Sequence, residues 1–448
     1  MHRPTVTPAT NTLPSRHDGS PRFRLEPWPL DGALRTGSSP FLVLEAKGTR
    51  CRARLLDDES IFDANPILLL DRLLRAMHRP PGESAFTGGA VGYFGYELGH
   101  LFERLPAAAR DDLHLPDLHI AFYDTIEERR DGATRIWRDE RPLESIARSV
   151  LRDVPHDGAS RRASAPAHAV APPAGPGENV TPERFRAMVA RALEYIAAGD
   201  IFQVNLSRRI TVPTSRAAGD LYRELRERSP AAHAAFLDLG DAQILSNSPE
   251  LFLRRRGRDI ITRPIKGTRP RAAGPRDAAE ISALLASEKD AAEHIMIVDL
   301  ERNDLGRVAE HGSVRVEGYR TLESFATVHH LVSTVRATLR PDVGLAEILA
   351  ATFPGGSITG APKIRAMEII DELEPTVRSV YTGAIGWIDF SGDFDLNIAI
   401  RTMILRGGLA HYQVGGGIVA DSDPDGELEE TRDKGRAFAR LLGGPDPA

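Results

Sequence analysis

The sequence predicts a mixed fold of strands and helices, on two observations. Through residues 23–153 short apolar segments such as Phe41-Leu42-Val43-Leu44, Ile67-Leu68-Leu69-Leu70 and Ile120-Ala121-Phe122 alternate with turn residues, which is the punctuation of short strands and helices. After residue 180 a helical period (Phe185, Val189, Ala192, Ile196) runs to Gly199 and gives way to the strand-like residues 201–207. The chain has 448 residues, 41% hydrophobic and 27% charged, enough for two or three ordinary domains or one large interwoven core. Its 57 basic and 63 acidic residues leave a net charge of -6 without long blocks, which argues against a nucleic-acid or anionic-membrane binder. Cys51 is the only cysteine, so no intramolecular disulfide forms and a reducing compartment is expected. No apolar stretch is long enough to span a bilayer and the start lacks a signal-peptide apolar region, so the expected location is cytoplasmic.

In chain order, residues 1–22, rich in Pro, Thr and Ser, read as a disordered tail. Residues 23–153 form an N-terminal α/β region. Its glycine-dense run Gly88-Gly89-Ala90-Val91-Gly92-Tyr93-Phe94-Gly95-Tyr96 lacks the Lys-Ser/Thr of a phosphate loop, and tight strand packing is expected there. Residues 154–179 read as a low-complexity linker. Order resumes at Thr181-Pro182-Glu183, a helix cap with Pro at the first helical position, and the second ordered region extends over residues 180–441.

That region is organised around Thr262-Arg263-Pro264-Ile265-Lys266-Gly267-Thr268-Arg269-Pro270-Arg271. Two prolines stiffen its flanks, and Gly267 lets backbone approach a ligand. Lys266 is placed on a constrained turn beside Arg263, Arg269 and Arg271, where neighbouring positive charge disfavours an ammonium and favours a nucleophilic amine. Taken alone, a Lys in a basic loop is more often a solvated anion contact.

Two segments carry acidic pairs three residues apart, Asp290/Glu293 on a helix expected from about Asp277 and Glu427/Glu430 after the turn Pro424-Asp425-Gly426. Such pairs are common on solvated faces. If the two helices converge, the like charges need a cation, and carboxylates without His or Cys suit Mg²⁺, which keeps several waters and takes an anionic substrate oxygen. His294 beside the pair fits a supporting role better than metal ligation. Arg401, ending the apolar run Asn397-Ile398-Ala399-Ile400-Arg401, is either an inward, paired guanidinium or the water-facing end of an alternating strand. Gly415, Gly416 and Gly417 either offer backbone N–H groups to a carboxylate or pack tightly.

These motifs in this order resemble the chorismate-utilising family, which includes anthranilate, aminodeoxychorismate, isochorismate and salicylate synthases. The resemblance rests on Pro-Ile-Lys-Gly-Thr-Arg-Pro-Arg at 264–271, Asp290-x-x-Glu293-His294, and Val-x-His-Leu-x-Ser at 328–333. Gly-Ala-Pro-Lys at 360–363 and Glu427-x-x-Glu430-x-x-x-Lys434 complete it. It covers roughly residues 180–440, and more weakly 23–153 through Glu26-Pro27-Trp28 and the Gly-Gly-x-x-Gly-Tyr run. It implies an α+β fold of two large antiparallel sheets packed as a sandwich with outer helices, a chorismate-binding catalytic domain at 180–441, and a region at 23–153 like the N-terminal part of anthranilate synthase component I.

What the resemblance implies for chemistry is specific. Glu293 and Glu430, with Asp290 and Glu427 acting partly through water, hold Mg²⁺ against the ring carboxylate of chorismate. Lys266 attacks C2 while Glu250 protonates the departing C4 hydroxyl, with His330 beside them. Thr268, His330, Tyr381, Arg401 and Lys434 position the substrate carboxylates, and Gln203, Gly267, Thr359 and the three glycines 415–417 line the site. Anthranilate synthases typically carry Ala at the position of Lys266, and aminodeoxychorismate synthases Lys. Water-adding members place a Lys base where this chain has Gln203. The implied product is therefore 4-amino-4-deoxychorismate, for 4-aminobenzoate and folate synthesis. Anthranilate synthesis is the alternative, and a non-catalytic glutaminase-binding subunit is an alternative of another class. Val43-Leu44-Glu45-Ala46 departs from the Leu-Leu-Glu-Ser of the tryptophan pocket, which argues against regulation by tryptophan. Glutamine hydrolysis needs a Cys–His pair, and Cys51 in Thr49-Arg50-Cys51-Arg52-Ala53 has no such context, so ammonia is expected from a separate glutamine amidotransferase subunit.

Overall fold

Alternation of apolar and polar residues closes into two large antiparallel sheets packed face to face with helices outside. The structure, a computed structural model, describes residues 21–26, 32–56, 58–154, 168–171, 174–325 and 328–443. Most of the expected tail and much of the expected linker lie outside the described residues, as do Pro27 and Trp28. Within the expected linker, Ala169–Val170 pairs parallel to Arg110–Asp111, and Gly177–Glu178 lies against the first sheet.

The elements that carry the site are labelled in chain order: β1 (Gln203–Pro213), β2 (Leu251–Arg256), β3 (Asp259–Arg263), β4 (Ile265–Pro270), α1 (Glu288–Gly306), β5 (Val328–Thr338), β6 (Phe394–Ile398), β7 (Leu409–Ile418) and α2 (Pro424–Leu442). The first sheet holds β7 and β1 side by side and runs outward through Thr402–Arg406, Ala242–Ser248, His233–Asp238 and Arg22–Leu25. In the second, β4 and β3 both pair with β5, and β2, β6, Ala384–Asp389, Gly89–Phe94 and Leu118–Tyr123 follow. Strands from the two sequence regions therefore share both sheets. Phe23, Val43, Tyr93, Ile244, Ile385 and Trp387 fill the space between them. Outside the first sheet lie the helix Pro182–Ala197 and α2; outside the second lie Pro66–Ala76 and α1. No helix among the described residues is long and apolar enough to cross a membrane.

Local chemistry accounts for these elements. Thr181 caps its helix by accepting the N–H of Arg184 at 3.3 Å, ahead of Pro182 at the first turn, and Phe185, Val189 and Ala192 bury the apolar stripe. The glycine run becomes the central strand Gly89–Phe94, where a Cβ on Gly92 would sit 1.9 Å from the carbonyl oxygen of His119. Of the segments read as mixed strands and helices, Ile67 to Leu70 belong to the helix Pro66–Ala76. Three expectations need correction. The helix expected from Asp277 is two, Pro275–Ala286 and α1, because Ser287 breaks the run and caps α1 by accepting the N–H of Asp290. Pro424 to Gly426 form the first turn of α2, capped by Asp423, which accepts from the N–H of Gly426 at 2.8 Å. Arg401 lies beyond β6 in a tight turn at φ +48.

Two predictions follow from this packing. Replacing Gly92 by Ala forces a methyl group into the backbone of the neighbouring strand and lowers unfolding free energy by about 2 kcal/mol or more, read by urea titration. The second concerns Glu97, buried in the short helical turn Tyr96–Leu101, which accepts the backbone N–H groups of Arg378 and Ser379 at 2.8 and 2.9 Å. Burial, with Asp117 adding, pushes its carboxyl up to about 8 against Lys47 and those N–H donors. The unfolded chain ionises this group near its ordinary 4.5, so its stabilising contribution is complete below that pH and is lost as pH rises toward 8. Relative to the parent, Glu97→Gln gains stability through that window, by at most about 1.4 kcal/mol per pH unit in urea unfolding.

Candidate active site

Lys266 sits in β4, not in a turn. Ile265 pairs with Val332 and Thr268 with His330, and the register slips between them, so Lys266 and Gly267 bulge out of the ladder. Gly267 takes φ +86, and a Cβ there would lie 2.9 Å from Leu284 and 3.4 Å from Asp290, which requires glycine. The half-buried Lys266 ammonium points inward, 3.5 Å from the carbonyl oxygen of Ser357. The cations flanking it in sequence do not crowd it as expected. Arg263 pairs with Glu323, Arg269 with Asp290 and Arg271 with Asp277. The charges that feel Lys266 are instead carboxylates: Glu250, Glu293 and Glu430.

Glu250 follows the Ser248-Pro249 turn at the start of β2, a strand flanked on both sides, and is 5% exposed. Its N–H donates to Ser248 Oγ at 3.2 Å, and its Oε1 is buried without a hydrogen-bond partner. Burial raises its pKa against the Ser357 hydroxyl, Lys266, the N–H of Ile265 and Lys434. Ser357 Oγ itself meets no hydrogen-bond geometry, so its influence on Glu250 is electrostatic. A carboxyl so placed is suited to hold a proton.

The acidic pairs sit on helices over different sheets, and Glu293 feels the charge of Glu430. α1 packs on β4 and β5, and α2 on β7. A Cβ on Gly416 of β7 would lie 2.9 Å from Glu427 Oε2 and 3.5 Å from Glu430 Oε1, so only glycine leaves this hollow open. Glu427 Oε1 accepts from the Ser422 hydroxyl at 2.6 Å, and its Oε2 is buried without a partner. Glu430 pairs with Lys434 at 2.6 Å, and Lys434 also donates to the Gly415 carbonyl oxygen at 2.8 Å. Asp290 lies 3.5 Å from Arg269. Burial raises the pKa of Glu293, with Asp290 and Glu430 adding and Lys266 and Lys289 opposing. Burial also raises that of Glu427. Around Glu430 burial acts upward, but Lys434, Lys289 and Lys266 bring the net shift below the ordinary value. As they stand, no three Asp, Glu, His or Cys groups among the described residues are gathered closely enough to hold an ion. The orphaned Glu427 oxygen, the Gly416 hollow and an all-carboxylate donor set nevertheless fit a hard divalent cation.

A second group surrounds β5. Thr268 Oγ1 and His330 Nδ1 are 2.8 Å apart, and His330 is buried. Burial, with Arg401 adding, lowers the His330 pKa to about 4 against the Gly267 backbone, which keeps the ring neutral near pH 7. Burial alone lowers the Arg401 pKa. Its guanidinium has no ion pair or hydrogen bond among the described residues, and it lies beyond the strand on which the sequence left it either inward and paired or facing water. An unpaired, half-buried guanidinium suits an incoming anion. His329 instead faces away, bonded to Ser324 and Asp277.

The third group lies along β1 and β7. Gln203 is fully buried with both side-chain amide atoms unpartnered, and its Nε2 lies 2.8 Å from where a Cβ on Gly417 would be. Tyr381 is buried with its hydroxyl 3.0 Å from the corresponding point on Gly415. Thr359 directs its hydroxyl to the Gly355 carbonyl oxygen at 2.9 Å, so it supports the loop. Cavities of about 730, 580 and 530 Å³ lie elsewhere on the molecule. Sequence reasoning missed Ser357, and it missed Lys289, whose only signal was its place four residues before Glu293 on one helix face. It also missed Glu301, a buried carboxyl that accepts from Thr262 Oγ1 at 3.0 Å and feels Glu250.

Known proteins resemble this chain over most of its length. The chain is 45% identical to anthranilate synthase component 1 of Streptomyces coelicolor, over 83% of this chain and 76% of that protein. It is 39% identical to aminodeoxychorismate synthase component 1 of Klebsiella aerogenes, over 96% and 98%. The crystal structure of anthranilate synthase component I from Streptococcus pneumoniae TIGR4 superposes with a TM-score of 0.76 at 32% identity, covering 96% of this chain and 94% of that one. Residues 40–440 match the family described as chorismate binding enzyme, and the chain belongs to that family.

Proposed function

We propose that this protein aminates chorismate to 4-amino-4-deoxychorismate, with Lys266 as a covalent nucleophile and ammonia from a partner glutaminase. The observation that carries the reading is the inward Lys266 amine acting on the buried Glu250, whose carboxyl burial raises above its ordinary range. Relatives named as anthranilate synthase and as aminodeoxychorismate synthase match at similar identity, which supports a chorismate aminase. The choice between them rests on Lys266, since anthranilate synthases typically have Ala there. The relatives' designation as component 1 and a buried Cys51 whose thiol burial pushes up to about 12 support a separate ammonia-supplying subunit.

In this mechanism Arg401, with Thr268 and His330, receives one substrate carboxylate. Glu293 and Glu430, assisted by Asp290 and Glu427, would hold Mg²⁺, which when bound neutralises the ring carboxylate. The Lys266 amine forms a bond to C2 as both ring double bonds shift, C1=C2 to C6=C1 and C5=C6 to C4=C5, and the C4–O bond breaks. Glu250 gives its proton to the departing hydroxyl, which leaves as water. Ammonia then bonds to C4, both double bonds shift back, the C2–N bond to Lys266 breaks, and the surplus proton of the new ammonium restores Glu250. Gln203, an amide and a poor base, does not activate water for a competing attack.

Incubation with chorismate, Mg²⁺ and ammonium salt is expected to yield 4-amino-4-deoxychorismate; anthranilate as the product would overturn the assignment. Lys266→Ala and Glu250→Gln are expected to lower kcat by about 10²–10⁴-fold, while unchanged turnover in both would support a non-catalytic subunit. A separate prediction tests the carboxylates. Lys289 opposes their charge, so Lys289→Gln is expected to tighten Mn²⁺ binding roughly fivefold, about 1 kcal/mol, measured by electron paramagnetic resonance without substrate. Unchanged affinity would mean that Lys289 does not compete with the ion.

A further inference from the structure

His294 follows Glu293 on α1 and is fully buried. Its Nε2 lies 2.6 Å from Ser333 Oγ on β5. Ser333 Oγ accepts the backbone N–H of Arg320 at 3.0 Å and can still either accept from Nε2 or donate to it. With the hydroxyl donating to Nε2, the neutral ring carries its hydrogen on Nδ1, the arrangement that suits a carbonyl on that side of the ring. Tyr319 stands edge-on against the ring at 5.6 Å between centroids, which fixes its plane. Nδ1 is buried with no hydrogen-bond partner, and the polar group it faces is the backbone of Lys266. That segment is the bulge in β4, where the ladder to β5 is interrupted between Ile265 and Thr268 and Gly267 adopts φ +86. The regular register of the ladder is therefore lost at Lys266. Just before it, the Ser333 N–H donates to the Pro264 carbonyl oxygen at 3.3 Å.

We propose that His294 is a positioning residue for Lys266: held by Ser333 and Tyr319, it presents Nδ1–H to the Lys266 carbonyl and fixes the bulge from which the amine projects. Hydrogen bonds of this kind are often long without substrate and tighten when it binds. A nucleophile displaced by about 1 Å can lose about 10²-fold in rate, and a bulge restrained at one point is where such a displacement arises. Ser333 thereby serves both ends of the segment, with its backbone on Pro264 and its hydroxyl on the ring that faces Lys266. The inference rests on Lys266 being the nucleophile.

The two ring nitrogens can be tested separately, since the Asn side-chain amide approximates Nδ1 and that of Gln approximates Nε2. The readout is the rate of adduct formation at Lys266, followed by intact-protein mass spectrometry with chorismate and Mg²⁺ but no ammonia, alongside the chorismate Kd. His294→Gln is expected to slow the adduct about tenfold or more, His294→Asn to stay within about threefold of the parent, and Kd to change little in either. Equal rates in the two variants, or faster adduct formation in the Gln variant, would overturn the proposal and leave a structural role through Ser333. If neither variant folds, Ser333→Ala frees the ring in an otherwise intact protein; slower adduct formation is then expected, and a parental rate overturns the proposal. A parent that forms no adduct, with Lys266→Ala fully active, defeats the nucleophile reading itself. A parent that forms one while the two variants do not differ defeats only the role of His294.

Discussion

The two acidic pairs sit on helices that pack on different sheets. α1 rests on β4 and β5 of the second sheet and α2 on β7 of the first, and Glu293 feels the charge of Glu430 across them. Like charges that interact in this way are tolerated only with compensating cations. The chain supplies those cations itself: Arg269 lies beside Asp290, Lys434 beside Glu430, and Lys266 and Lys289 act on Glu293 and Glu430 from a greater distance. A divalent ion would therefore enter by displacing tethered cations. On the proposed reading this matters for the chemistry, because the released Lys434 and the shielded Lys266 are the same groups that would engage the substrate.

The far wall of the site is held more rigidly. Glu374 accepts from the N–H and hydroxyl of Ser207 at 2.8 Å and pairs with Arg378, which is buried between the rings of Tyr96 and Tyr381. Glu97 ties the backbone of the same turn. Glu374 and Arg378 pair with each other and make further hydrogen bonds, the condition under which such networks specify one geometry. This network sets Tyr381 against Gly415, whose lack of a side chain leaves room for the phenol. One wall of the site is thus fixed by buried ion pairs, and the other, at the β4 bulge, by a few contacts to α1 and β5.

What could be read from the sequence follows the range of the forces involved. Local signals held where local chemistry decides: the Thr181 cap, the Pro182 start, and the glycines of Gly89–Phe94, where close strand approach excludes a side chain. Glu250 and His330 could be singled out only because motifs elsewhere in the chain resembled a family, since alone a carboxyl after Ser-Pro and a His in an apolar run are ordinary. Lys266 was placed in a turn because its two prolines punctuate the chain, but β5 pairs with both flanks and leaves a bulge. The cations around it were misjudged because adjacency in sequence says nothing of which carboxylate each long side chain reaches. Arg401 was expected on a strand, yet the apolar run ends at Ile398 and the guanidinium lies in a tight turn without a partner. Lys289 and the two faces of His294 depend on helix packing across sheets, which periodicity does not encode.

Identity alone does not separate the two aminating outcomes, because relatives of both kinds match this chain comparably and the groups that would hold the substrate carboxylates serve either reaction. The difference must lie in what faces C2 and C4. An amine on the β4 bulge would occupy the C2 face, so a small nucleophile arriving from solvent or a partner finds C4 the open position. Removing that amine exposes C2. On the proposed reading the bulge is therefore where the product would be decided, and the restraint on its backbone would matter as much as the lysine it carries. A loosely held bulge would let the amine swing aside and allow ammonia to reach the wrong carbon.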